Sequence, residues 1–201
     1  VAFRSLLRTA PDEAWLRTVS GMVVLHRDGR ASTVPVAPER RGGLGGYDPR
    51  AFALDRQGNM WVGTEAGLYF ARFAMPAFTS VQHEPGDLTT LSDDRINGLA
   101  QDSTGAVWVT TNNGLNRLDV ETGRVERLDA MAPWADGRMC RAFWQVSPRP
   151  DGTRWLGLKY GGLAVWDGVE RRPVPADMGP IAAVRALLPD GEGGLWSGLS
   201  G

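Results

Sequence analysis

Histidine and cysteine are nearly missing from this chain, which has two His and one Cys in 201 residues. A lone Cys140 forms no intrachain disulfide and leaves the redox compartment open. Its position beside a predicted inner strand reads as a small buried side chain. His26 and His83 fall in different repeats, and neither has a Cys or His at ligand spacing, which argues against a zinc site. An excess of one charge is also missing. Lys and Arg total 22 against 23 Asp and Glu, a net charge of −1, so the chain lacks the electrostatic footprint of a nucleic-acid binder. It contains no run of 18 apolar residues that would read as a transmembrane helix, and its start does not read as a signal peptide. No stretch keeps a 3.6-residue period, which argues against helices.

Glycine (26) and tryptophan (8) are plentiful. Five of the tryptophans, Trp15, Trp61, Trp108, Trp155 and Trp196, stand in copies of one phrase, 41 to 47 residues apart. Its clearest copies are DRQGNMWVGTEAGLYF from Asp55 and DSTGAVWVTTNNGLNRLD from Asp102. A fixed period of about 40–50 residues built from short strand-like pieces is the signature of a β-propeller blade. Around Trp108 the pieces are Ile96 to Gln101, Ala106 to Thr110, Leu115 to Asp119 and Arg124 to Leu128, joined by Gly-containing turns. Four antiparallel strands joined in this way make one blade.

The reading predicts an all-β fold of about four and a half four-stranded antiparallel blades, an incomplete part of a larger, seven-bladed propeller. Residues 1–201 form one partial propeller, with blades over 1–36, 48–82, 95–128 and 139–174 and a truncated one over 181–201. The chain starts without Met and stops inside the fifth phrase, which reads as a piece of a longer protein. The repeated Trp is expected to pack between blades, where it buries a large apolar area. The recurring Asp of the Asp-x-x-Gly turns is expected to form turns rather than to act as an acid. The D-x-D-x-D-G calcium pattern is missing.

The phrase D-x-x-G-x-(V/L)-W-V-x-T-x-x-G-L-N-R resembles the two-component regulator propeller repeat. Residues 102–119 follow it almost without departure, and HEPGDLTTLSDDRI (83–96) resembles the phrase that precedes such repeats. The fourth copy departs, with Arg149 in the Asp position and one extra residue after Gly161. The first has Arg17-Thr18 where Gly-Thr is expected. The resemblance implies a periplasmic ligand-sensing region of a bacterial membrane-bound protein. Its output would be a histidine kinase or diguanylate cyclase, and signalling would pass through paired propellers, a homodimer. The remaining blades of the parent protein would be its partners.

Aligning the copies on their tryptophans gives columns. Arg4, Arg50, Asn97, Trp144 and Arg185 stand eleven residues before the Trp, near the start of the innermost strand. Leu6, Phe52, Leu99, Val146 and Leu187 stand nine before it and read as core. The first column predicts a positively charged channel mouth for a small molecule or glycan, such as an acidic sugar or carboxylate, which the planar fork of Arg suits. The competing expectation is that each Arg pairs with a rim carboxylate such as Asp48 or Asp94. Trp134 and Tyr160, on connections, are further recognition candidates. The Gly- and Arg-rich loop 37–48 could cradle a phosphate through backbone N–H groups, but reads better as a surface loop.

No catalytic constellation, metal site or cofactor motif is present in the sequence, so a non-enzymatic module is expected. The alternatives are a propeller enzyme of the streptogramin-lyase kind and an architectural interaction propeller. A lyase would use a His and a carboxylate on one rim, and His83 with Glu84 is the only start for that.

Overall fold

The computed structural model describes residues 3–10, 12–18, 21–34, 48–71, 79–128, 132–133, 139–160, 162–167, 171–173 and 183–200. All regular structure among them is β. The first sheet contains β1 (Phe3–Ala10), β2 (Glu13–Thr18), β3 (Gly21–His26) and β4 (Ala31–Val34). The second contains β5 (Ala51–Leu54), β6 (Met60–Thr64), β7 (Gly67–Ala71) and β8 (Thr79–Val81). The third contains β9 (Ile96–Gln101), β10 (Val107–Thr111), β11 (Gly114–Leu118) and β12 (Val125–Leu128). A short ribbon follows, β13 (Ala132–Pro133) with β14 (Met139–Cys140). The fourth sheet contains β15 (Phe143–Pro148), β16 (Arg154–Leu158), β17 (Leu163–Trp166) and β18 (Arg171–Pro173). The chain ends on a pair, β19 (Ala183–Pro189) and β20 (Leu195–Ser200).

Each four-stranded sheet is an antiparallel meander in chain order, as tight turns between short strands require. Contacts between sheets run through their first strands: β1 meets β5, β5 meets β9, β9 meets β15, and β15 meets β19. The first strands therefore stand side by side as the inner wall. These are propeller blades, four of them four-stranded and one two-stranded. In the third blade the strand limits follow the predicted ones within one residue. The fourth blade's first strand begins at Phe143, and just before it the Ala142 carbonyl accepts the Lys159 N–H (3.1 Å). The ribbon β13–β14 replaces part of what reads as plain connection in the sequence, and it packs on β18.

The anchor tryptophans pack as expected where a following blade covers them. Trp61 shares one core cluster with Ile96, Leu99, Val107 and Val109 of the third blade. Trp108 shares another with Phe143, Val146, Leu156 and Trp166 of the fourth, meeting the Trp166 ring edge-on at 5.8 Å. Trp196, on the last strand, is 71% exposed. The seams are tight. A Cβ on Gly98 would lie 2.5 Å from the Trp144 carbonyl oxygen and 2.7 Å from Gln145 Oε1. Glycine is thus needed at that position to let the third and fourth inner strands approach.

Candidate functional site

Each blade presents two ends. At one, the Asp-x-x-Gly turns join first to second strands. Asp102 Oδ1 accepts the Thr104 N–H (2.8 Å) and hydroxyl (2.6 Å), and its Oδ2 accepts the Trp108 indole N–H at 2.7 Å. Asp55 likewise accepts Trp61 Nε1 (3.1 Å) and the Asn59 backbone (2.8 Å). The recurring Asp therefore forms the turn and also fixes the anchor Trp. Burial pushes the Asp102 carboxyl up, but the hydrogen bonds from Thr104, Trp108 and Ala106 outweigh it and hold the pKa below the ordinary aspartate value.

In the fourth blade Arg149 replaces that Asp. Its guanidinium lies 5.2 Å from the Trp155 ring centroid and pairs with Asp151 at 3.1 Å. Arg154, over Trp108 (4.2 Å) and Trp166 (5.4 Å), fills the seam above. Burial lowers its pKa, and the Asp102 charge opposes that. An open cleft of about 240 Å³ at this end is lined by Arg56, Gln101, Asp102, Ser103 and Arg149 with two prolines. Its polar groups are largely spent on each other, since Arg56 donates to Gln101 Oε1 (2.8 Å) and to the Ser103 carbonyl (2.7 Å).

The opposite end carries the column read from the sequence, and the strand register explains its position. Between β9 and β10, Gly98 faces Thr110 and Ile96 faces Thr111, so Asn97 is an extra, bulged residue. Trp144 is bulged in the same way between Phe143↔Leu158 and Gln145↔Gly157. Arg185 is bulged between Val184↔Leu199 and Ala186↔Gly198, and Arg4 between Phe3↔Thr18 and Ser5↔Arg17. Arg50 stands at the equivalent point: its N–H donates to the Gly63 carbonyl (2.6 Å) while Ala51 already faces Gly63. A bulge bends the strand and re-aims a side chain, and such bulges are common at barrel rims and beside binding sites.

Three of these residues, Arg50, Asn97 and Trp144, meet a second column that sequence reading missed, four residues after the Trp in the turn between second and third strands. Arg50 forms an ion pair with Glu65. Asn97 Nδ2 donates to Asn112 Oδ1 at 3.2 Å. Lys159 Nζ lies 5.4 Å from the Trp144 ring centroid. The pairs are then linked across blades. Asn97 donates to the Phe143 carbonyl (2.9 Å), Lys159 donates to Asn112 Oδ1 (2.8 Å), and Arg185 stacks on Trp144 at 4.3 Å. Tyr160 stands at the edge, 51% exposed, with Lys159 Nζ 5.7 Å from its ring centroid.

The structure thus brings Asn97, Trp144, Arg185 and Tyr160 into one connected patch. Arg50 is placed against Glu65, not Asp48 or Asp94, and its charge is offset there. The side chain of Arg4, all of Trp134 and most of the loop 37–48 lie outside the described residues.

His83 belongs to a different arrangement. Its Nδ1 lies 2.6 Å from the Leu91 carbonyl oxygen and 3.1 Å from Arg127 Nη2. Arg127 packs against the ring and donates to the carbonyls of Thr90 (2.7 Å) and Asp87 (2.6 Å). The imidazole ties down the loop between second and third blades. Among the described residues no three His, Cys, Asp or Glu side chains group as metal ligands.

Residues 43–66 and 90–113 match the family described as two component regulator propeller. No relative is found among curated proteins. Among solved structures, the extracellular domain of the hybrid two component system BT3049 from B. thetaiotaomicron is similar with a TM-score of 0.78. It is 20% identical, over 98% of this chain and 27% of that one. The corresponding domain of BT4673 from the same organism gives 0.74 at 19% identity, over 98% and 25%. A streptogramin B lyase gives 0.71 at 14% identity, over 97% and 61%. The chain spans 27% and 25% of the two extracellular domains, and at these identities the likeness is one of fold.

Proposed function

We infer that this chain, which carries two-component regulator propeller repeats, is part of the ligand-sensing, extracytoplasmic region of a bacterial membrane-bound signalling protein. In this reading it couples binding at the bulge rim to a histidine kinase or diguanylate cyclase output carried elsewhere in the parent protein. The observation that carries the reading is the match of residues 43–66 and 90–113 to the regulator repeat. The shared fold with extracellular domains of two hybrid two component systems supports it. A ligand would act by favouring one arrangement of paired propellers, shifting the population by no more than its differential affinity. The sheets themselves would do no chemistry.

The lyase reading is supported by shared fold alone. The histidine available to it, His83, is committed through Nδ1 to the Leu91 carbonyl, and Glu84 is exposed beside it. The test is made in the parent protein in bacterial membranes. Protease added outside spheroplasts should cut the propeller, and autophosphorylation or cyclic dinucleotide synthesis should respond to ligand. A protease-shielded, cytoplasmic propeller would overturn the reading.

A further inference from the structure

We propose that the cleft at the Asp-x-x-Gly end of the blades binds the oxyanion of a small molecule, a phosphate or a carboxylate, between Arg56 and Arg149. The site lies at the opposite end from the bulge rim, and binding there does not depend on the sensing role.

Three observations converge. First, the fourth repeat breaks the rule of the others at this point. Asp55, Asp102 and Asp190 stand six residues before their tryptophans, and Arg149 stands there before Trp155. Asp55 and Asp102 accept the N–H groups of their turns and of the anchor indoles. A guanidinium only donates and can do neither. A residue that breaks a local structural rule is expected where a function is served. Secondly, blades on either side of the third send a guanidinium to one cleft. Arg56 of the second blade and Arg149 of the fourth both line its volume of about 240 Å³, with Gln101, Asp102 and Ser103 of the third.

Thirdly, the acceptors of the cleft are taken, and donors remain. Gln101 Oε1 accepts the Arg56 backbone N–H (2.8 Å), and the Ser103 carbonyl accepts Arg56 Nη1 (2.7 Å). The Asp102 carboxylate accepts the Thr104 N–H and hydroxyl, the Ala106 N–H and the Trp108 indole, and the Arg154 charge opposes its own. Arg56 forms no ion pair among the described residues. The bonds of Arg149 to Asp151 (3.1 Å) and Thr153 Oγ1 (3.1 Å) both use Nη1, which leaves its Nε and Nη2. What the cleft asks for is therefore an acceptor bearing negative charge.

The guanidinium fork matches a carboxylate or phosphate in two parallel hydrogen bonds. Pro150 restricts the backbone of Arg149, and the Trp155 ring centroid lies 5.2 Å from its guanidinium. The side chain is thus partly ordered before a ligand arrives, which lowers the cost of binding. Pro148 and Pro150 give the cleft apolar walls for the carbon body of the ligand.

The test is calorimetric titration of the 201-residue chain with inorganic phosphate, malonate and glycerol, and with sodium chloride at matched ionic strength. Saturable binding of phosphate or malonate is expected, glycerol should fail to bind, and chloride should not displace the ligand. Whichever anion binds identifies the oxyanion. Arg56→Gln should weaken binding by about tenfold or more, the usual range for a hydrogen bond to a charged group. Arg149→Asp restores the residue of the other repeats. It should abolish binding while the melting temperature stays level or rises, because the new carboxylate can accept the Trp155 indole N–H. Arg149→Gln, which removes only the charge, should lose binding by about tenfold or more as well. Arg50→Gln removes a positive charge at the opposite rim and should leave binding unchanged. The proposal is overturned if neither anion binds, if glycerol binds equally, or if chloride displaces the ligand as well as the anion itself does. Normal binding by folded Arg56 and Arg149 variants, or an equal loss in Arg50→Gln, overturns it too.

Discussion

Asp102 shows how one carboxylate can both make a turn and fix a core side chain. Its two oxygens receive the Thr104 and Ala106 N–H groups, the Thr104 hydroxyl and the Trp108 indole N–H. Asp102→Ala leaves a buried indole N–H without an acceptor and is expected to cost about 1–3 kcal/mol, measured by urea unfolding. The same bonds set an acid limit. The folded-state pKa lies below the reference value of 3.8, so this stability is complete above that value and is lost as pH falls through the lower folded one. Asp28, Asp87, Asp119 and Asp151 are shifted in the same direction, each mainly by hydrogen bonds from a residue two or three positions on. Urea midpoints should therefore hold steady from neutrality to about pH 4 and fall below it, and Asp102→Ala should fall less steeply. An equal slope in the variant would show that the Asp102 carboxylate does not carry the effect.

At the level of strands and loops, two positions separate close approach from loop anchoring. Gly98 lets the inner strands of the third and fourth blades touch, and a methyl there strikes the Trp144 carbonyl, Gln145 Oε1 and Thr110 Oγ1. Gly98→Ala is expected to destabilise by about 1–3 kcal/mol, as overpacking does, and to lower the near-ultraviolet circular dichroism of the Trp108–Trp166 pair. Arg127 grips the loop before the third blade through Asp87, Thr90 and the Nδ1 of His83. Arg127→Ala should leave the sheets intact and speed amide hydrogen exchange in residues 83–95 by about tenfold or more, read by mass spectrometry. If exchange rose equally in β10 and β11, the grip would belong to the blade rather than to the loop.

The blades and inner strands were legible in the sequence because Trp108 and its equivalents repeat in chemical type and so give a ruler. The rim column was legible through the same ruler, but its cause was not. An extra residue such as Asn97 or Trp144 shows only when its strand is paired with the next. The partner column was missed for a related reason. Glu65, Asn112 and Lys159 share a position but no chemistry, so no pattern of types marks them. Each side chain answers its own bulged neighbour: a carboxylate for Arg50, an amide for Asn97, a cation for Trp144.

At the scale of the whole molecule, stability in a repeat array is approximately a sum of blade terms and seam terms between neighbours. The anchor Trp of one blade is covered by the blade after it, so one residue type has different weights along the chain. Trp108 is 2% exposed within a cluster that includes Trp166, Phe143 and Leu156, whereas Trp196 is 71% exposed beside Leu188 at 65%. Trp108→Ala should therefore cost about 3–5 kcal/mol. In the 201-residue chain taken by itself, Trp196→Ala, at the same place in its own repeat, should change stability by no more than about 0.5 kcal/mol. The seam argument also orders local opening. Amides of β9, β10, β15 and β16, enclosed by blades on both sides, should exchange most slowly, and those of β19 and β20 should exchange first. A chain unfolding as one cooperative unit would instead show equal protection in all of these strands and a comparable cost for both tryptophans. That result would mean the seams are coupled well beyond nearest neighbours.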